Sequence, residues 1–242
     1  MSIRKTLGIA AILMAGASTA QADFLVTYGP VGGTSASAGF DYYGIETFDG
    51  KIGKTDFKST FVHDGQTIKL KYEDVNIINA GPYGGVAGSD YAVAGLTSTD
   101  RDYSVTIESE GGVNYFGYWL SALDGGNTVT FYSGLTPVFT FSPGDVLDLL
   151  AGKPGYWGNP FTGQNTGEPY VFLNFFYETG TFDKIVFSQA PGTAGYESDN
   201  HTVGFYNATG GTPVIDTPEP AMLGLFGLGI VGIAAGRRRK RG

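Results

Sequence analysis

Between Asp23 and Asp216 no single pattern lasts long. Short runs of alternating apolar and polar residues are cut off repeatedly by clusters of Gly, Asn, Asp and Pro. Alternation at period two is the signature of a half-buried β-strand, and the interruptions are turn chemistry. The runs include "FLVTY" at Phe24–Tyr28, "TIKLKYEDVNII" alternating from Ile68 to Ile78, and "YSVTIES" at Tyr103–Ser109. Further along come "NYFGYWLSAL" and "NTVTFYS", separated by a hairpin-like Asp124-Gly125-Gly126 turn, then "TPVFTFS", "YVFLNFFYE", "FDKIVFSQ" and "HTVGFYN". The stretch "GPVGGTSASAGFDYYG" is too rich in Gly and Ser for regular structure. The only helical candidate before the C-terminal tail is Gly144–Leu150, opened by Ser142-Pro143. There is no internal repeat at solenoid or propeller spacing. The pattern predicts an all-β domain over 23–216, a two-sheet β-sandwich of jelly-roll-like topology.

The predicted core is Val105, Ile107, Tyr115, Trp119, Val129, Phe131, Phe139, Phe141, Val171, Leu173, Phe175, Ile185, Phe187 and Val203. A core of that size is needed, because the 242 residues include no Cys and therefore no disulfide. The same absence removes thiolate nucleophiles and Cys-ligated metals. Setting aside Arg4, Lys5, Arg237–Arg241 and Glu219 leaves eight basic and twenty-two acidic residues, a central charge of about −14. Such a surface repels phosphate backbones, which excludes nucleic acid as a partner. It suits divalent cations and solubility outside a cell.

The two ends carry different signals. "MSIRKTLGIAAILMAGASTAQA" has a basic start at Arg4 and Lys5, an apolar stretch from Leu7 to Ala17, and an Ala20-Gln21-Ala22 cleavage site. It reads as a signal peptide over 1–22, removed to leave Asp23 first. At the other end, Pro218-Glu219-Pro220 is followed by an uncharged run at 221–235 and then by Arg237, Arg238, Arg239, Lys240 and Arg241. Fifteen helical residues cover roughly 22 Å, against a hydrocarbon core of about 30 Å. The run predicts a marginal transmembrane helix whose basic end stays in the cytoplasm.

These three ordered features, Pro218-Glu219-Pro220, the apolar span and the terminal basic cluster, resemble the PEP-CTERM sorting signal of Gram-negative surface proteins. The resemblance implies a domain boundary at 217, transient insertion in the inner membrane and cutting near the triplet by exosortase, a membrane protease-transpeptidase. It also implies delivery to the cell surface or into exopolysaccharide. In the domain itself, "YFGYWLSALDGGNTVTFYSG" and "FDKIVFSQAPGTAGYESDNHTVGF" are similar to the β-sandwich of many exosortase-dependent surface proteins. That second likeness implies no particular activity.

Candidate sites follow from clustered side chains. Asp124 and Asn127 flank one turn, and Glu197, Asp199 and Asn200 form another. Brought to one end of a sandwich, their oxygens suit Ca²⁺, which takes six to eight oxygen ligands. The alternative is that they bond their own backbone. Tyr156, Trp157 and Phe161 occupy a Pro/Gly loop. Exposed in a row they would make a carbohydrate-binding module; folded back they would cover an open edge of the core. Tyr42, Tyr43 and Tyr83 pose the same choice. Of the two histidines, His201 lies near Ser198, but neighbours along a strand point to opposite faces, and no nucleophile elbow accompanies them. Glu108 and Glu110 share a strand face, and a glycan hydrolase would need two carboxylates on one cleft. The expectation is a non-catalytic surface or matrix protein. Sequencing the exported protein by mass spectrometry is expected to find Asp23 as its first residue; a retained Leu7–Ala17 stretch would contradict it.

Overall fold

The computed structural model of the protein describes residues 24–36, 39–95, 102–190 and 195–206. The signal peptide and its Ala20, Ala22 and Asp23 site, the Pro218-Glu219-Pro220 triplet, the 221–235 span and the basic tail lie outside the described residues.

Thirteen strands are described: β1 (Phe24–Tyr28), β2 (Tyr42–Glu46), β3 (Phe57–His63), β4 (Gln66–Glu73), β5 (Asn76–Ile78), β6 (Tyr91–Ala94), β7 (Asp102–Ser109), β8 (Tyr115–Ser121), β9 (Asn127–Ser133), β10 (Thr136–Phe141), β11 (Val171–Tyr177), β12 (Lys184–Gln189) and β13 (Tyr196–Phe205). One sheet has seven strands in the order β1-β11-β8-β13-β6-β5, with β2 also paired to β13. The other has six, in the order β10-β9-β12-β7-β4-β3. Every described pairing is antiparallel. From β7 onward the chain changes sheet at each connection except β9–β10, a jelly-roll-like alternation. The helix α1 (Pro143–Leu149) starts where expected. The Asp145 carboxylate accepts hydrogen bonds from the Ser142 amide at 2.7 Å and hydroxyl at 2.6 Å.

Three expectations are corrected. The Asp124-Gly125-Gly126 turn does not close a hairpin, because β8 and β9 lie in different sheets; it carries the chain across the sandwich edge. The Ile68–Ile78 run is two strands, β4 and β5, also in different sheets. They are separated where Asp74 adopts φ 62°. Third, the core takes the opposite face of β8. Phe116, Tyr118 and Leu120 point between the sheets, whereas Trp119 packs with Ala122, Tyr170 and Phe172 on the outer face. Tyr115 is on that outer face too, where its hydroxyl donates to Asn174 Oδ1 at 2.8 Å. Both rings are fully buried, but under loops rather than between sheets. Phe139 is half-buried against the core; the other predicted core residues are buried within it.

The centre of the seven-stranded sheet is β13. One of its edges is paired to β8; the other pairs with β6 through Tyr196–Ser198 and then with β2 through His201–Phe205. The changeover coincides with a register shift between Asp199 and Thr202. Asn200 there sits at φ 49°, a left-handed conformation that Asn tolerates better than most residues. The two sheets meet closely where β2 passes β3: a Cβ at Gly44 would overlap the Phe61 ring. Gly44→Ala is expected to lower stability by about 1–3 kcal/mol through overpacking, read as an earlier urea midpoint with an unchanged slope.

Candidate functional site

The outer face of the seven-stranded sheet is roofed by loops. Asn159 ties two of them together, donating from Nδ2 to the Pro82 carbonyl at 3.1 Å and accepting from the Phe161 amide at 2.9 Å. The Tyr170 hydroxyl donates to the same Pro82 carbonyl at 2.9 Å. Beneath this roof lie the outward residues of β13, Glu197 and Asp199, both buried.

The five oxygen-bearing residues read as a possible Ca²⁺ set are split by this geometry. Asn127 Oδ1 accepts from the Asp124 amide at 2.6 Å, and Asn127 Nδ2 donates to the Gly195 carbonyl at 3.1 Å and to Gln189 Oε1. Asn127 is therefore a turn fastener. Asp199 is further along β13, and its carboxylate is already served. Oδ2 accepts from the Val86 amide at 2.9 Å and the Ser89 hydroxyl at 2.5 Å, and Oδ1 accepts from the Asn200 amide at 2.6 Å. Asn200 Nδ2 donates to the Thr34 carbonyl at 2.8 Å. Among the described residues no three His, Asp or Glu side chains are disposed to hold a metal ion.

Glu197 differs from its neighbours. It is 6% exposed, and its Oε2 is buried with no hydrogen-bond partner in the structure. Burial pushes its carboxyl up to about 8; its own backbone amide opposes the shift, and Asp124 and Glu168 reinforce it. Burial also raises the Asp199 carboxyl, to about 6, against the pull of its three donors. Sequence reasoning had no signal for a carboxyl kept neutral here, because its depth depends on the loops above it.

On the inner face of β13 the register shift brings Ser198 and His201 to the same side. His201 Nε2 lies 3.0 Å from Ser198 Oγ, and Nδ1 lies 3.2 Å from the Tyr72 hydroxyl. The Tyr103 hydroxyl reaches Ser198 Oγ at 2.7 Å. This corrects the expectation that strand alternation keeps Ser198 and His201 apart. Both are fully buried. Phe48, Phe116 and Phe187 surround the imidazole at centroid distances of 4.9, 5.2 and 5.0 Å. Burial lowers its pKa to about 3, so it is neutral across the physiological range. The group is a polar knot buried in the core. A second buried polar centre, also missed by the sequence reading, is Glu46. It accepts from Lys51 Nζ at 2.7 Å, from the Phe48 amide at 2.7 Å and from the Ser59 hydroxyl.

The three loop aromatics do not form a row. Tyr156 is buried and donates to the Gly29 carbonyl at 2.9 Å; Trp157 packs half-buried on the core. Only Phe161 is exposed, at 39%, with its ring centroid 5.5 Å from that of Trp119. It borders a shallow cleft of about 300 Å³ with Gly81, Pro82, Gly85, Thr162 and Gln164. Tyr83 is exposed on the same loop as Pro82, Tyr43 is exposed on β2, and Tyr42 is buried. Glu108 and Glu110 are both exposed and line another surface cleft with Lys69, which pairs with Glu108 in register across β4 and β7.

Residues 216–240 match the family model of the PEP-CTERM protein-sorting motif. No curated protein and no solved structure matches the chain. The motif implies an exported protein, processed by exosortase and sorted through its C terminus to the cell surface.

The buried carboxyls set a pH dependence. A carboxyl with a raised folded pKa holds a proton that the unfolded chain releases, so stability falls as pH rises between the two values. For Glu197 that window runs from its ordinary 4.5 to about 8, and Asp199 adds the same sign from 3.8 to about 6. Each pH unit of full difference is worth about 1.4 kcal/mol. Glu197→Gln removes the larger contribution. Its urea midpoint is expected to change much less than the wild type's between about pH 5 and pH 8. Parallel pH profiles would contradict the buried neutral carboxyl.

Proposed function

We propose that the mature β-sandwich is a non-catalytic component of the cell surface or extracellular matrix, associated with exopolysaccharide after exosortase has processed its tail. The observation that carries this reading is the sorting motif at 216–240, placed directly after a closed β-domain. The site geometry supports it. Ser198, His201 and Asp199, the side chains best suited to chemistry, are buried and spend their hydrogen bonds on the fold. The acidic surface disfavours nucleic acid and favours a hydrated, soluble matrix role. Without three exposed rings in line, a carbohydrate-binding platform on Tyr156, Trp157 and Phe161 has lost its main support.

Within the tail, Pro220 biases Glu219 away from helix, which keeps the triplet extended for a protease cleft. The basic residues Arg237–Arg241 hold the far end of the span in the cytoplasm. Inner membrane contact is thus transient, and exosortase is the processing partner. Glu219→Ala is expected to leave an uncut precursor in the inner-membrane fraction and to deplete the protein from extracted exopolysaccharide. An epitope in a domain loop makes both measurable. Normal size and amount at the surface would overturn the role given to the triplet, and normal processing without recovery in exopolysaccharide would overturn the matrix role alone.

A further inference from the structure

The two outer faces of the sandwich are unlike. That of the seven-stranded sheet is roofed by loops, and β8 and β11 are buried almost throughout. That of the six-stranded sheet is bare. Burial alternates along β4, β7, β9 and β12, and the residues between the buried ones are open or half-open to solvent.

Cations collect on this bare face. Lys58, Lys69, Lys71 and Lys184 all point outward from it, half of the eight basic residues between 23 and 216. The outward acids of the same strands are Glu73, Asp102 and Glu108, so the strands carry a small positive balance on a domain of about −14. Glu73 holds Lys71 at 2.5 Å, and Glu108 faces Lys69 in register. Lys58 and Lys184 have no such answer: among the described residues neither makes an ion pair. Lys58 is instead paired in register with Lys71, and Lys184 with Thr106 and Tyr132. Like charges directly opposite across a ladder are destabilising. In a chain with a surplus of acids, lysine set against lysine is a cost that an external anion would remove.

The pairings set these side chains in one row. Lys58, Lys71, Thr106, Lys184, Tyr132 and Pro137 follow one another across β3, β4, β7, β12, β9 and β10. Five interstrand steps make the row roughly 24 Å long, with the backbones of Lys71 and Lys184 about 10 Å apart. A small ligand wants a concave pocket; an open row suits an extended chain. Every cation in it is a lysine, a point charge without the planar fork by which arginine grips phosphate. Hydroxyls flank it, Ser104 and Thr130 on one side and Thr60 on the other, and these suit sugar hydroxyls rather than base stacking. Acids elsewhere on the domain are screened beyond about 8 Å at physiological salt.

We propose that this row is a binding surface for an extended polysaccharide bearing carboxylates, with Lys58 and Lys184 as the ammoniums that meet them. It deepens the exopolysaccharide association given above and rests on it. The full-length chain in non-ionic detergent would be passed over immobilised polygalacturonate, neutral dextran and duplex DNA, with a chelator present to exclude metal bridges. Retention on polygalacturonate alone is expected, lost as added salt shortens the screening length from about 10 Å to about 3 Å. Lys58→Gln and Lys184→Gln are each expected to weaken it about two- to fivefold, the range of one exposed ion pair. Lys153→Gln removes the same charge over the Tyr28 ring of the other sheet and is expected to leave retention unchanged. Lys58→Gln is also expected to keep or raise the urea midpoint, which separates weaker binding from unfolding. No retention on polygalacturonate, or retention that neither variant weakens, would overturn the surface. Equal retention on DNA would overturn the preference for a carboxylated glycan, and equal retention on dextran would overturn the role of charge. Recovery of the protein in extracted exopolysaccharide despite any of these results would leave the matrix association standing without this face.

Discussion

A strand in the middle of a sheet must have its hydrogen bonds met on both edges, and in this protein β13 is the strand on which that demand falls hardest. It is ten residues long. Its neighbour on one side is β8, but no single strand serves the other side; β6 and β2 divide it. The interruption at Asp199–Asn200 is where one partner ends and the other begins. Much of the architecture follows from this junction. Asp199 reaches out to fasten Val86 and Ser89, and Asn200 fastens Thr34, so two loops are pinned over the outer face at the point where the ladder changes hands. On the inner face the same irregularity turns Ser198 and His201 toward Tyr72 and Tyr103, linking β13 to both β4 and β7 of the facing sheet.

A buried polar group left unpaired is expensive, and a connected network recovers that cost only when its members are satisfied. His201, Ser198, Tyr72 and Tyr103 meet that condition with a neutral imidazole. Glu46 meets it with an ammonium, an amide and a hydroxyl. Glu197 does not, and the fold accommodates it by keeping the proton on. Residue types that often signal chemistry are used here to join two sheets and their loops without a disulfide.

The parts of the fold that were legible in the sequence are those with one wet face. β7 alternates Tyr103, Val105 and Ile107 against polar residues, and β9 alternates Val129 and Phe131 against Thr130 and Tyr132; both read correctly. β8 is buried along its whole length, so Tyr115-Phe116-Gly117-Tyr118-Trp119-Leu120 offers no contrast by which to choose the inward face. β6 was missed for the same reason, being the short, wholly buried "YAVA". Asp124-Gly125-Gly126 was legible as a turn, but which sheet the chain enters next is set by tertiary packing, and the break at Asp74 was hidden inside a run that alternates straight through it. The contact between Ser198 and His201 was hidden because period two holds only while the ladder is regular. The sorting tail was the most legible segment, since its order of triplet, span and basic cluster is a linear pattern that needs no fold to be recognised.

The route by which the chain leaves the domain also decides how the domain bears force. The sorting tail continues from β13, and Asn114 grips Tyr206 at the exit. A pull on the tail acts along the strand axis, so the bonds to β8 and β2 are strained side by side, in shear. A tail leaving from the edge strand β1 would instead let β1 be peeled away one bond at a time. Fluid drag on a domain still held by its C terminus is therefore spread over the most heavily connected strand of the sheet. The point of attachment is also the part of the sandwich best placed to resist being pulled open.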